Sequence, residues 1–297
     1  VRQQLSKLNF KVALLAALLL LALTTAATTR QTSTARASLA FAAIGDTGTG
    51  KPPQFEVARQ MAAYRERVRF DFVLMLGDNL YTRSTPAAFR ERFEKPYQEL
   101  LQASVKFYAV LGNHDVLGGG EAQIRYEKFN MSGRRYYSFT KGEGLVEFFA
   151  LDSNNLSRAQ TSWLEEKLKS SVARWKVAFL HHSLFSSSRM HSEYDEMREQ
   201  LTPLFVRYGV NAVFAGHSHV YERVKPQQGV HYFTQGASGK IRIGDLDRNG
   251  PYFAAGNDQI HSFLLVQMDE ARMKVEAIGA NGELLDSAVI SRGEVAN

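Results

Sequence analysis

The chain has 297 residues and no cysteine. Disulfides and thiolate metal sites are therefore excluded, and any metal has to be held by oxygen and nitrogen. No internal repeat and no long linker divides it. No hydrophobic run is long enough to cross a bilayer comfortably: Val12 to Leu23 is unbroken but only twelve residues, against about 20 for a spanning helix. No cysteine follows that run, so a lipoprotein anchor is excluded as well. A large basic excess is also missing. The net charge is +6, but Arg2, Lys7, Lys11 and Arg30 supply four of the positive charges within the first thirty residues, where there is no acidic residue. Taking four from +6 leaves +2 for the remainder. Such a balance gives little support for a nucleic-acid partner.

What is present is ordinary globular material, 44% hydrophobic and 22% charged. The basic start, the apolar run and the small residues of "TTAATT" form a secretory signal pattern, with cleavage expected near Ala27. The expectation is a leader and start of a tail over residues 1–30, then one domain over 38–292. The protein would be secreted or periplasmic, monomeric, and without stable membrane association once cleaved.

From Leu39 the pattern alternates. "LAFAAIGD", "FDFVLMLGD" and "VKFYAVLGNHD" read as buried strands, separated by the helical stretches "PQFEVARQMAAYRER" and "PAAFRERFEKPYQELL", the second interrupted at Pro96. Strand, helix, strand, helix, strand predicts parallel strands with crossover helices. Further on, "RRYYSFT" and "GLVEFFALD" read as a hairpin, and "SRAQTSWLEEKLKSS" as an amphipathic helix capped by Ser157. "WKVAFLHH" and "VNAVFAGHSH" read as strands around a helix. The late stretches "VHYFTQGA", "IHSFLLVQMD" and "RMKVEAIG" suit a second sheet.

Five strands end in residues able to bind metal: Asp46, Asp78, Asn113 with His114, His181 with His182, and His217 with His219. In an α/β sheet, ligands gather beyond the carboxyl ends of the strands. A Gly-Asp after one strand is usually only a turn, and a lone His-x-His says little. Repetition of strand, glycine and ligand-type residue makes a metal site the better reading.

The ordered set "GD-x-G", "GD-x-x-Y", "GNHD", "HH" and "GH-x-H" resembles the calcineurin-like metallophosphoesterases, and more narrowly their purple acid phosphatase branch of the small tartrate-resistant type. The resemblance implies an α/β fold of two stacked mixed β-sheets flanked by helices. It implies a secreted acid phosphatase acting on small phosphorylated substrates, with Fe(III) and a divalent Fe, Zn or Mn. By the same resemblance Asp78 bridges the metals, Asp46, Tyr81 and His219 complete the first site, and Asn113, His182 and His217 complete the second. His114 and His191 would be catalytic. The family's second catalytic histidine follows the ligand histidine by nine residues, a count that selects His182 and leaves His181 without a role. The wider superfamily opens on Asp-x-His; here Gly48 stands at the histidine's place, and Tyr81 fits the vacancy.

The chemistry suits these residues. Two cations about 3.5–4 Å apart neutralise a phosphate, orient it and activate water, and a histidine near neutral pKa can protonate the departing alcohol. Arg83, Arg189 and Tyr194 are candidates for the entrance, each equally readable as a surface residue. The alternatives are a phosphodiesterase of the same superfamily, a secreted iron-binding protein without hydrolysis, and a membrane-anchored binding module.

Overall fold

The computed structural model describes residues 38–191 and 194–292; the expected leader lies outside them. Short runs rich in apolar residues form β1 (Leu39–Ile44), β2 (Phe72–Met75) and β3 (Lys106–Ala109), which pair in parallel as expected. Their crossovers contain α1 (Pro52–Arg65), opened by two prolines in its first turn, then α2 (Pro86–Phe89), a π-helical turn over Arg90–Glu94, and α3 (Gln98–Gln102). After β3 come the short helices α4 (Asn113–Leu117) and α5 (Gly120–Ile124).

The expected hairpin forms from β4 (Tyr137–Lys141) and β5 (Val146–Ala150). Helix α6 (Arg158–Ser170) follows, with the Ser157 hydroxyl accepting from the Gln160 amide at 3.2 Å. Next come β6 (Trp175–Phe179), α7 (Asp195–Arg207), β7 (Ala212–Ala215), β8 (Tyr221–Val224), β9 (His231–Gln235) and β10 (Phe253–Asn257). The chain closes with β11 (Ser262–Met268), β12 (Arg272–Gly279) and β13 (Leu284–Ser291).

Two mixed sheets result, one in the order β13-β12-β11-β1-β2-β3 and the other β10-β8-β9-β7-β6-β5-β4. This corrects the grouping of the late strands. Only β9 joins the second sheet, beside β7; β11 and β12 extend the first. The cause is the open edge of β1 opposite β2, which β11 covers antiparallel from Leu39–Met268 to Ala43–Leu264. Pairings so distant in sequence leave no local signal.

The sheets meet through aromatic rings. Phe41 on β1 stacks on Phe72 (5.3 Å between centroids) and meets Phe148 and Phe214 of the other sheet edge-on at 5.2 and 5.9 Å. On the outer face of the second sheet, Leu164 and Leu168 of α6 and Leu201 and Phe205 of α7 are buried with Phe149, Ala178 and Val213. On the first sheet, Tyr64 of α1 lies against Phe263 of β11. Among the described residues no helix is long and apolar enough to cross a membrane.

Phe41 touches both sheets and is fully buried. Phe41→Ala should destabilise the fold by about 3–5 kcal/mol, read as the shift in a urea unfolding midpoint at constant slope. A loss below about 1 kcal/mol would show that the sheets do not depend on this ring.

Candidate metal centre

The carboxyl ends of β1, β2, β6 and β7, with the turn after β3, bring together Asp46, Asp78, His181, His217 and Asn113. The backbone is bent for the purpose. Asp46, Asp78 and His217 have φ of 57°, 52° and 68°, a left-handed conformation that costs roughly 1–2 kcal/mol per L-residue. Asp and His enter it more readily than most residues. Each follows a glycine. At Gly77 (φ 87°) an added Cβ would lie 2.5 Å from His181 Nδ1 and 2.8 Å from the Gly112 amide nitrogen. The repeated glycine-ligand pattern is thus, at this position, a packing requirement.

Gly48 has the same explanation. A Cβ there would lie 2.1 Å from the Asn79 carbonyl oxygen. The Gly48 amide donates to Asp78 O at 3.1 Å and its carbonyl accepts from the Tyr81 amide at 2.9 Å. No histidine fits at this place on this backbone. Tyr81 reaches in from the neighbouring turn: its hydroxyl donates to Asp46 Oδ1 (2.9 Å) and lies 3.3 Å from His219 Nε2, which is itself 3.4 Å from Asp46 Oδ1.

A second group of acceptors lies beside the first. His181 is fully buried, and its Nδ1 donates to the Leu76 carbonyl at 2.9 Å. A carbonyl only accepts, so the ring proton is on Nδ1 and Nε2 carries a lone pair. That lone pair faces Asn113 Oδ1 at 3.0 Å, His217 Nδ1 at 3.1 Å and Asp78 Oδ1 at 3.6 Å. Nε2 of His217 is taken by the Tyr194 hydroxyl at 2.6 Å. Burial, and then the neighbouring His181, push His217 down to about 2; burial also lowers His181. Both imidazoles are therefore neutral. His181 Nε2, Asn113 Oδ1, His217 Nδ1 and Asp78 Oδ1 thus converge, a set of oxygen and nitrogen donors that suits a cation.

The carboxylates agree. Burial raises Asp78 to about 8, helped by the negative charges of Asp46 and Asp115. Burial alone would raise Asp46 too, but its hydrogen bond with His219 and the nearby His181 and His217 hold it well below the usual carboxylate range. Burial, Asp46 and Asp78 push the Tyr81 phenol far above its ordinary value. Only added positive charge would make a phenolate there. The oxygen and nitrogen donors of Asp46, Asp78, Tyr81 and His219, with Asn113, His181, His182 and His217, suit bound metal ions.

The other expected residues fall around this centre. His182 pairs its Nδ1 with Ser153 Oγ at 2.9 Å and packs on His217 with ring centroids 4.5 Å apart. Burial and then His181 push it down to about 3. Its Nδ1 is thus engaged by Ser153, and it still brings a ligand atom within 4.8 Å of those of His181 and His217. His181, given no role by the nine-residue count, faces Asp78 and Asn113 directly. His114 is exposed, its backbone tied to Asp78 Oδ1 at 3.0 Å and its ring 4.8 Å from that of Tyr81. His191 packs on His217 at 4.2 Å and accepts at Nε2 from Arg242 Nη1 at 3.1 Å.

Several supports escaped the sequence reading. Asp115, the last residue of "GNHD", is fully buried and accepts from the amides of Asn79 (3.0 Å), Leu80 (2.9 Å) and Gly112 (2.8 Å). It joins the turn carrying Tyr81 to the turn carrying Asn113. Buried Glu222 accepts from Ser186 Oγ and the Ser187 amide, both at 2.9 Å. Asp245 takes Ser188 Oγ at 2.6 Å and the Met190 amide at 3.1 Å. Together they fix the serine-rich loop that presents His191. Lys240 places its Nζ 3.6 Å from the centroid of the Tyr81 ring.

Residues 39–221 match the calcineurin-like phosphoesterase family. The chain is 30% identical over 241 residues to purple acid phosphatase 17 of Arabidopsis thaliana, covering 71% of each. It is 28% identical over 298 residues to tartrate-resistant acid phosphatase type 5 of Homo sapiens, covering 84% of this chain and 90% of that one. The structure of purple acid phosphatase PPD1 from yellow lupin shares the fold at a TM-score of 0.74 with 19% identity, over 86% of this chain and 54% of that one. The match spans more than half the chain and includes the turns that carry Asp46, Asp78, Asn113, His181, His217 and His219, so this protein belongs to the calcineurin-like phosphoesterase family.

Proposed function

We propose that residues 38–292 form the catalytic domain of a secreted or periplasmic acid phosphatase that hydrolyses small phosphate monoesters. The observation that carries this reading is the meeting of His181 Nε2, Asn113 Oδ1, His217 Nδ1 and Asp78 Oδ1 beside Asp46, Tyr81 and His219. The acid phosphatases among its relatives support it. A metal pair held here, Fe(III) with a divalent Fe, Zn or Mn, would neutralise the phosphate and supply an activated water.

The chain's own residues do the rest. His114 is open to solvent at the mouth and is placed to donate to a phosphoryl oxygen. His191 is the general acid for the leaving alcohol. Arg242 donates to its Nε2, so the ring shown is neutral and becomes an acid only when it gains a proton there. In the second metal position His181 takes the ligand role and His182 supports His217 from behind. The cleaved leader, the monomeric state and the absence of a nucleic-acid partner belong to the same proposal.

The direct test is iron per chain together with hydrolysis of p-nitrophenyl phosphate. The purified protein should bind iron and absorb in the visible, and Tyr81→Phe should abolish the band. A colour that survives removes the phenolate from the centre. His181→Ala should lower the metal content from roughly two ions per chain to about one, whereas His182→Ala should keep both. The reverse result returns the ligand role to His182.

The pH dependence has a definite sign. Burial, and then Arg242, hold His191 below its ordinary value, so its acid form is present at low pH and is lost as pH rises through that depressed value. Activity should be highest at mildly acidic pH. Arg242→Met removes one depressing cause, so the falling limb of the kcat/KM profile should move to higher pH. A limb that stays in place, or a profile rising steadily to about pH 9, removes His191 as the acid.

A further inference from the structure

The loop after β9 places Lys240 and Arg242 near the metal centre, and its backbone is fastened there. The Arg242 amide donates to His219 O at 2.9 Å. A Cβ added at Gly239 would lie 2.5 Å from Thr47 O and 2.8 Å from Asp46 O. Lys240 therefore leaves a main chain that has almost no freedom to shift. Its Nζ rests 3.6 Å from the centroid of the Tyr81 ring, and the His114 ring lies 4.8 Å from the same tyrosine. Arg242 stands against His191. One loop thus places a cation beside each of the two histidines given a catalytic role.

Lys240 is the less explained of the two. An ammonium has three donors, and among the described residues Lys240 has the tyrosine face and no hydrogen-bond or ion-pair acceptor. A cation over an aromatic ring gains roughly 0.5–2 kcal/mol, which holds the amine in position but leaves its N–H groups unfilled. It is partly buried, on a fixed loop, beside Tyr81 at the edge of the metal centre.

We propose that Lys240 donates to a phosphoryl oxygen of the bound ester and so selects monoesters over diesters. The inference rests on the phosphomonoesterase reading above and sharpens it. A monoester can present three non-ester oxygens and up to two negative charges; a diester has two such oxygens and one charge. With one oxygen on the ammonium, a monoester keeps two others for the metals and His114. A diester has to turn an ester oxygen with its carbon substituent toward Lys240, which leaves the ammonium with a poor acceptor.

The test compares Lys240→Met and Lys240→Arg with the unaltered, metal-loaded protein on p-nitrophenyl phosphate and bis(p-nitrophenyl) phosphate. Binding of inorganic phosphate is measured separately by calorimetry. In Lys240→Met the monoester-to-diester ratio of kcat/KM should fall at least about tenfold, and phosphate affinity by a similar factor, as expected for loss of one charge-assisted hydrogen bond. Lys240→Arg keeps the charge and should restore part of both. Equal losses on the two esters with unchanged phosphate affinity overturn the proposal and leave Lys240 as a support for Tyr81. If the methionine variant loses metal, Lys240→Gln compared at equal metal content decides: a lowered monoester-to-diester ratio with weaker phosphate binding upholds the selection, and an unchanged ratio overturns it. Unaltered protein that hydrolyses only the diester overturns the monoesterase reading and this inference together; monoester hydrolysis with an insensitive Lys240 overturns the inference alone.

Discussion

Donor atoms of His217, Asn113 and Asp78 are crowded within 3.0–3.6 Å of His181 Nε2, and the surrounding fold holds them so. Asp46 and Asp78 lie within 4.8 Å of each other through their ligand atoms. Ionising both would cost roughly 3–4 kcal/mol of repulsion at an effective dielectric near 20, and burial with Asp46 nearby already raises Asp78 to about 8. Left-handed turns at Asp46, Asp78 and His217 add their own strain. None of this favours folding. The offset comes from the dry aromatic contact between the sheets and from whatever cation the site takes up, since a ligand that binds only the folded state stabilises it.

The site was legible in the sequence wherever the backbone imposed the residue. Gly77 has no room for a Cβ, and Gly48 has none either, so the turns are written into the chain as glycine followed by a ligand. The absence of a histidine at position 48 and the presence of Tyr81 are one fact seen from two sides, because the Gly48 carbonyl receives the Tyr81 amide. The choice between His181 and His182 was not legible. It was made by counting along a loop; in the fold His181 reaches the Leu76 carbonyl and His182 the Ser153 hydroxyl, and both have ligand atoms within 4.8 Å of His217.

The same division runs through the fold. Parallel pairing of β1, β2 and β3 follows from alternating strands and helices, a local pattern. The attachment of β11 to β1 depends on residues from opposite ends of the described chain and has no signature in either. Glu222, Asp245 and Lys240 were silent for a related reason. An acidic residue inside a strand, another in a loop and a lysine in "GKIR" look like solvated surface until the serine loop and Tyr81 are brought to them.

The antiparallel seam between β1 and β11 also bears on when the molecule can become itself. Synthesis delivers β1 first, and β2 can join it early, but its other edge stays bare until Ser262–Met268 emerges. An exposed apolar edge invites pairing with foreign strands, and contacts of such long sequence separation form slowly. The acceptor cluster needs only β1 to β7 and the loops between them, so the cation site can be assembled while the first sheet is still unfinished. On that order of synthesis the seam closes only after the strands that carry the metal centre have been made.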